Sequence, residues 1–200
     1  MSSQPKTLSV TECHLILTAL FIQCRTPGQK KRSIRNHCMA VLMLDAGLRV
    51  GELVQLRQLD LVFANSVGTS VLIRADISKS RFERVVPLTS GATSSILRMA
   101  DSWWCTKSPS PDLFAFYQGD ALKPLTTRQV ERIIRSAALL ALNRPVHPHV
   151  LRHTFATRLM RTTNTRIVQK LLGHRNLAST QVYLHPTQED LQGAIKRIDL

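Results

Sequence analysis

One interval, residues 60–88, breaks the hydrophobic period that governs the rest of the chain. On either side of it, apolar residues recur at three- and four-residue spacing, the signature of helices with one buried face. Inside it, three short β-branched segments (60–63, 70–74 and 83–88) are separated by Asn65, Gly68 and the run Ser78-Lys79-Ser80. Short branched runs between turn residues read as strands. The pattern confines the chain to a helical domain with one small sheet. The expected fold is mostly α with a three-stranded antiparallel β-sheet, an α+β arrangement.

The helical parts carry their own boundary signals. Ser9-Val-Thr-Glu12 has the form of a capping box, and Leu15, Ile16, Leu20 and Phe21 follow at helical spacing, so a first helix is expected to about Cys24. Residues 26–32, with Lys30, Lys31 and Arg32, read as a basic loop. A second helix runs through Val41 and Leu44, and Gly47 is placed to end it. A short third helix fits 50–56. After the strands the chain turns helical from about Gly91, and 108–112 is a loop. Thr126 or Thr127 caps a helix carrying Val130, Ile133, Ile134 and Leu139. Further helices are expected over 149–162, 166–172 and 176–183, with a last one near 189–197. Trp103 and Trp104 read as packing residues, one buried and one partly exposed.

Composition narrows the partner. Twenty-seven Lys and Arg stand against 13 Asp and Glu, a formal net charge of +14. Such a surplus points to a polyanion, nucleic acid before an anionic membrane surface. With 44% apolar residues the chain is not disordered, and 200 residues suit a single domain with a proper core. No apolar run approaches the roughly 18 residues of a membrane-spanning helix. The polar start, Met1 to Lys6, lacks the core of a signal peptide. Cys13, Cys24, Cys38 and Cys105 show no paired spacing and read as reduced, buried thiols. The expected location is cytoplasmic, nucleoid-associated if the cell is bacterial, with no membrane partner.

Charge is unevenly placed. Between Glu131 and Glu189 there is no acidic residue, while nine Lys and Arg lie there with His147, His149, His153, His174 and His185. Acid-free basic stretches of this kind are interaction surfaces. Within it, His149 and Arg152 fall three apart on one helix face. Leu151, Phe155 and Leu159 make the stripe that docks this helix. Gly173 closes the next helix and leaves His174 on a turn. Asn176 caps a following helix that presents Tyr183.

Cations, imidazoles and a phenol together suit a phosphodiester. Guanidinium forks grip the non-bridging oxygens, and a tyrosine oxygen can attack phosphorus. Upstream, Arg49 follows the helix-ending Gly47, with Glu52 three residues on to hold it. Lys79 sits in the tight loop between two strands, where it can deliver a proton. Zinc is the competing use of these histidines, since His149 and His153 are four apart. The residues between them are Val-Leu-Arg, with no glutamate base and with a cation that repels the metal. No metal site is expected.

Three segments now stand together: Gly47-Leu-Arg49-Val-Gly-Glu52-Leu; Pro148-His149-Val-Leu-Arg152-His-Thr-Phe-Ala-Thr; and Leu171-Leu-Gly-His174-Arg-Asn-Leu-Ala-Ser-Thr-Gln-Val-Tyr183-Leu-His185. In this order and spacing the chain resembles the catalytic domain of the tyrosine recombinases, the phage integrase family, from about Thr7 to about Leu191.

The resemblance implies a role for each residue. Arg49 and Arg152 match the arginine pair that clamps the scissile phosphate. Lys79 matches the hairpin lysine that acts as general acid on the leaving 5′ oxygen. The family usually has glycine beside that lysine and a basic residue three positions on; here Ser78, Ser80 and Phe82 stand instead, and Arg81 is the other candidate. His149 matches the general base, and His174 a histidine bonded to the phosphate. Tyr183 matches the nucleophile that forms a 3′-phosphotyrosyl link, and Glu52 an acidic support behind the arginines. Lys30, Lys31, Arg32, Arg81, Arg158 and Arg175 are expected to contact DNA.

The implied activity is site-specific recombination of double-stranded DNA by a homo-tetramer. No cofactor is needed, because the covalent link keeps the energy of the broken bond. A topoisomerase-like relaxing enzyme and a non-catalytic DNA-binding accessory protein are the alternatives. Typical members carry a separate N-terminal core-binding domain. Here the pattern has only Met1 to Lys6 ahead of it, so the expectation is a single catalytic domain over 1–200 with that domain absent. A minimal recombinase, a second protein supplying the rest of the clamp, or a truncated or degenerate copy would follow, and the intact active-site set argues against decay. Residues 188–200 would pack on a neighbouring protomer through Leu191, Ile195 and Ile198. The target site, and the choice of integration, excision or inversion, have no short code in the sequence.

Overall fold

Capping residues set where most helices begin. The computed structural model describes residues 7–22, 26–63, 66–104 and 109–174. Helix α1, Val10–Ile22, opens on the expected box: the Ser9 N–H donates to Glu12 Oε2 at 2.8 Å and the Glu12 N–H to Ser9 Oγ at 3.2 Å. Helix α2, Pro27–Asp45, starts earlier than its apolar pattern suggested. Thr26 and Gln29 cap each other at 3.0 and 3.2 Å, and Pro27 occupies the first turn, where no N–H is needed. The expected basic loop is therefore helix, and Lys30, Lys31 and Arg32 are exposed on its first turns.

A short helix α3, Val50–Val54, and a single 3-10 turn at Gln58–Asp60 follow. Next come strands β1 (Val62–Phe63), β2 (Ser66–Val67), β3 (Ser70–Ile73) and β4 (Arg84–Pro87). Helix α4 spans Ser90–Trp103. Strands β5 (Tyr117–Gln118) and β6 (Asp120–Pro124) lead to helix α5, Thr127–Leu142, capped by Thr126 through Gln129. Helices α6, Pro148–Met160, and α7, Thr165–Leu172, complete the described chain. The helices expected over 176–183 and 189–197, and the segment 188–200, lie outside the described residues.

The three-stranded sheet does not form. Among the described residues the strands make three separate two-stranded antiparallel ladders: β1 with β2, β3 with β4, and β5 with β6. The cause is local. Asp60 caps its own turn by accepting the Arg57 N–H and is paired with Arg74, which fixes the chain just before β1. β1 then pairs within the next few residues, Val62 opposite Val67 and Phe63 opposite Ser66, before β3 begins. Among the described residues β3 and β4 make the longest regular ladder, with Ser70 opposite Pro87 and Ile73 opposite Arg84. The β5–β6 hairpin was not expected; its signal is Gly119, at φ 83°, a turn conformation that favours glycine.

The core is organised on α2. Cys38, Met39, Ala40, Leu42 and Met43 are fully buried there, and α1, α4 and α6 pack around them. Met39, Leu42 and Met43 each contribute about 1.5–3 kcal/mol by leaving water. A smaller cluster of Ala156, Val168 and Leu172, flanked by Phe155, Leu159 and Met160, docks α7 on α6 and so fixes where α7 ends. Trp104 is buried and donates its indole N–H to the Ala115 carbonyl, while Trp103 is half-buried against Tyr117. Cys13 and Cys38 are free, buried thiols; Cys24 and Cys105 lie outside the described residues. Among the described residues no helix is long and apolar enough to cross a membrane.

Candidate functional site

The site is built at the C-terminus of α7. The last carbonyls of a helix have no partner within it and carry the negative end of its dipole. Gly173 ends α7 in the left-handed conformation, φ 63°, and leaves the carbonyls of Leu171 and Leu172 turned outward. Three arginines from three other segments reach them. Arg49 Nη1 donates to Leu172 O at 3.3 Å, Arg152 Nη2 to the same oxygen at 2.7 Å, and Arg84 Nε to Leu171 O at 3.1 Å. Two guanidinium groups sharing one oxygen are held side by side.

Each arginine arrives for a local reason. Gly47 ends the α2 turn at φ 62°, and any Cβ there would overlap the Phe155 ring, so only glycine lets α6 approach. Its carbonyl accepts from Arg152 Nη1. Two residues later Arg49 sits just before α3, and its own N–H donates to Glu52 Oε2 at 2.9 Å. Arg152 lies one helical turn past His149 on α6, 5% exposed. Arg84 opens β4 with a side chain 7% exposed.

Among the described residues Glu52 is the one carboxylate in this cluster, 1% exposed. Its Oε1 accepts from Arg49 Nη1 at 2.9 Å and Arg84 Nη1 at 3.0 Å. Its Oε2 accepts from Arg84 Nη2 at 2.8 Å and lies 4.0 Å from Arg152 Nη1. Burial opposes ionisation of this carboxyl, but the hydrogen bonds and charge of Arg84 and Arg49 outweigh it and hold its pKa below the ordinary value. Three guanidinium groups on one carboxylate leave a formal surplus of two positive charges in a partly dry site.

His174 follows Gly173 and its Nε2 lies 3.2 Å from Arg152 Nη2. Burial, then the cations of Arg152, Arg49 and Arg84, lower its pKa to about 4 against the pull of Glu52. At neutral pH it is an uncharged imidazole. His153 is also held down, by burial and by His149 and Arg152.

The structure thus brings together Arg49, Glu52, Arg152 and His174, and adds Arg84, which the sequence reading missed. Its signal was present: a cation opening the β-branched run Arg84-Val-Val-Pro, at a strand position that a solvated charge does not need. His149 is exposed on the first turn of α6. Lys79 is exposed on the connection between β3 and β4 and makes no hydrogen bond or ion pair among the described residues. Its flanking Ser78 and Ser80 are buried and their hydroxyls lie 2.9 Å apart, a clasp that turns Lys79 outward. Arg81 is exposed at φ 58° in the same loop. Arg158 stands apart, lining a groove with Leu44, Asp45, Thr89 and Phe155. Lys30, Lys31 and Arg32 are on α2, outside the cluster. Tyr183, Arg175 and His185 lie outside the described residues. Among the described residues no three His, Cys, Asp or Glu gather where they could hold a metal ion.

The chain is similar to known proteins over most of its length. The sequence model of the phage integrase family matches residues 14–190. A tyrosine recombinase of Pseudothermotoga lettingae is 37% identical over 166 residues, covering 82% of this chain and 54% of the relative. The crystal structure of XerA recombinase superposes with a TM-score of 0.74 at 24% identity, over 99% of this chain and 67% of that one. XerH site-specific recombinase bound to its difH substrate, a pre-cleavage complex, gives 0.66 at 25% identity, over 98% and 55%. The chain spans only 54% to 64% of the length of the curated relatives it matches.

Proposed function

The chain belongs to the phage integrase family, and from that premise we propose that it is the catalytic domain of a site-specific recombinase that cuts and rejoins double-stranded DNA through Tyr183. The observation that carries this reading is the convergence of Arg49, Arg152 and His174 on the end of α7, held by one buried carboxylate. A phosphodiester has one negative charge and its pentacoordinate transition state two. A surplus of two fixed positive charges therefore stabilises the transition state more than the substrate. Every 1.36 kcal/mol of that difference is worth about tenfold in rate.

In the proposed step, Tyr183 Oη attacks phosphorus and loses its proton to His149. The bond from phosphorus to the 5′ oxygen breaks, and Lys79 gives that oxygen a proton. Arg49 and Arg152 bind the non-bridging oxygens, and neutral His174 donates a hydrogen bond to one of them. The reverse sequence with a new 5′ hydroxyl rejoins the strand, so no cofactor is consumed. Lys30, Lys31, Arg32, Arg81, Arg158 and Arg175 supply sequence-independent contacts to the duplex, and affinity falls steeply with salt. Four copies assemble on two sites, and a second protein supplying the rest of a clamp is an alternative arrangement.

The test is incubation with a nicked suicide duplex carrying the target site. The wild-type chain is expected to leave a covalent adduct and Tyr183→Phe none. Supercoil relaxation without recombinant product would favour a relaxing enzyme. Binding with no adduct on any substrate would favour an accessory factor.

A further inference from the structure

Arg84 is the least exposed cation of the cluster after Arg152, and it belongs to none of the three signature segments. It makes four contacts that join otherwise separate pieces. Both oxygens of Glu52 are taken by its Nη1 and Nη2 at 3.0 and 2.8 Å, a fork-on-fork ion pair. Its Nε holds Leu171 O at 3.1 Å. Its guanidinium also lies against Gly173, where a Cβ would stand 2.9 Å from Nη1. One side chain therefore ties β4 to α3 and to the turn that sets His174.

Two consequences follow. Glu52 lies 4.0 Å from Arg152 Nη1 yet bonds Arg84 at 2.8 Å, so Arg84 draws the carboxylate away from the second clamp arginine. And β4 closes the hairpin whose far end carries Lys79, five residues before Arg84, so the same tether fixes the lysine loop relative to the arginines. We propose that Arg84 is a positioning residue. By occupying Glu52 and the Leu171 carbonyl it holds Arg49, Arg152 and His174 in phosphate-binding geometry and registers the Lys79 hairpin on them. The proposal rests on the recombinase reading for its kinetic arm only.

The experiment compares Arg84→Met, Arg84→Lys, Glu52→Gln and the double variant Arg84→Met/Glu52→Gln in single-turnover cleavage of the suicide duplex, in duplex binding and in folding. Displacing reactive groups by about 1 Å costs on the order of a hundredfold in rate. Arg84→Met is expected to lose that much in cleavage while its Kd for the duplex stays within roughly threefold, because no phosphate contact is removed. Arg84→Lys keeps the charge without the fork and is expected to recover about tenfold. On the Glu52→Gln background, Arg84→Met should cost less than about tenfold further, since the two act as a unit.

The second arm needs no activity. His174 is faced by Arg152 on α6, Arg49 and Glu52 at α3, and Arg84 on β4. In Arg84→Met its imidazole, followed by NMR, should titrate above the wild-type value of about 4. An unchanged His174 titration overturns the proposal. So does wild-type cleavage in a folded Arg84→Met, a Kd that weakens in step with the rate, or fully additive losses. If the wild-type chain forms no adduct, the recombinase reading fails, and the titration alone decides the role of Arg84.

Discussion

Glu52→Gln removes the single negative charge at the centre of three arginines while keeping its shape. Each carboxylate oxygen accepts twice: Oε1 from Arg49 Nη1 and Arg84 Nη1, Oε2 from the Arg49 N–H and Arg84 Nη2. In glutamine one of these atoms becomes an NH2 group that faces two donors. The three guanidinium groups then lack a counter-charge in a site where Glu52 is 1% exposed. Breaking one side of a buried ion pair costs about 3–5 kcal/mol. For a domain of this size that is a fall in Tm of roughly 6–20 °C. The loss is expected to be selective in its remedy. Three unbalanced cations form a stronger anion site, so inorganic phosphate should restore more of the Tm in Glu52→Gln than it adds to the wild-type chain. The assay is thermal unfolding followed by circular dichroism, with phosphate titrated at constant ionic strength. A variant within about 1 kcal/mol of wild type, or an equal phosphate response in both, would refute the reasoning.

The other predictions concern backbone and pH. Gly47→Ala places a methyl on a left-handed residue and into the Phe155 ring, and is expected to cost about 2–4 kcal/mol from strain and overpacking together. Adding Phe155→Leu should recover the packing part and leave the strain, which urea midpoints would show; full recovery would mean the left-handed turn is unimportant. In acid, His174 accepts a proton near pH 6.5 when unfolded but only at about 4 when folded, so the unfolded state gains protons first and stability falls as pH drops through that window. His37 and His153, also held down by burial, act in the same direction. Glu52, held below its ordinary value, adds a further loss as pH falls through the carboxylate range. His174→Gln should shallow the decline between neutral pH and about 4 relative to wild type; identical slopes would contradict the burial of an uncharged imidazole.

Local signals carried much of the fold. Ser9 with Glu12 and Thr126 with Gln129 cap where the sequence placed them, and Gly47 and Gly173 both take the left-handed turn expected of helix-ending glycines. What depended on distant pairing was harder to read. Residues 60–74 do not announce that β1 pairs with Ser66 and Val67 rather than with β3, because the choice shows only when Asp60 and Arg74, at the two ends of that segment, are brought together. The basic start of α2 looked like loop because charge dominated its hydrophobic pattern, although Thr26-Pro-Gly-Gln29 already held the cap. At the site, the i, i+3 relation of Arg49 and Glu52 was legible from spacing. That Glu52 also takes a fork from Arg84, 32 residues away, was not, since it depends on how β4 meets α7. The sharing of one carbonyl by Arg49 and Arg152 was equally hidden, being set by where α7 stops.

In the proposed reaction this cationic cluster serves covalent attack by Tyr183 on DNA. The most direct measurement is mass spectrometry of the proteolysed adduct from the nicked suicide duplex. The expected product is a peptide carrying Tyr183 joined through phosphate to a 3′ nucleotide, absent in Tyr183→Phe and strongly reduced in Arg152→Lys. An adduct mapped to any other residue, or one that persists in Tyr183→Phe, would contradict it.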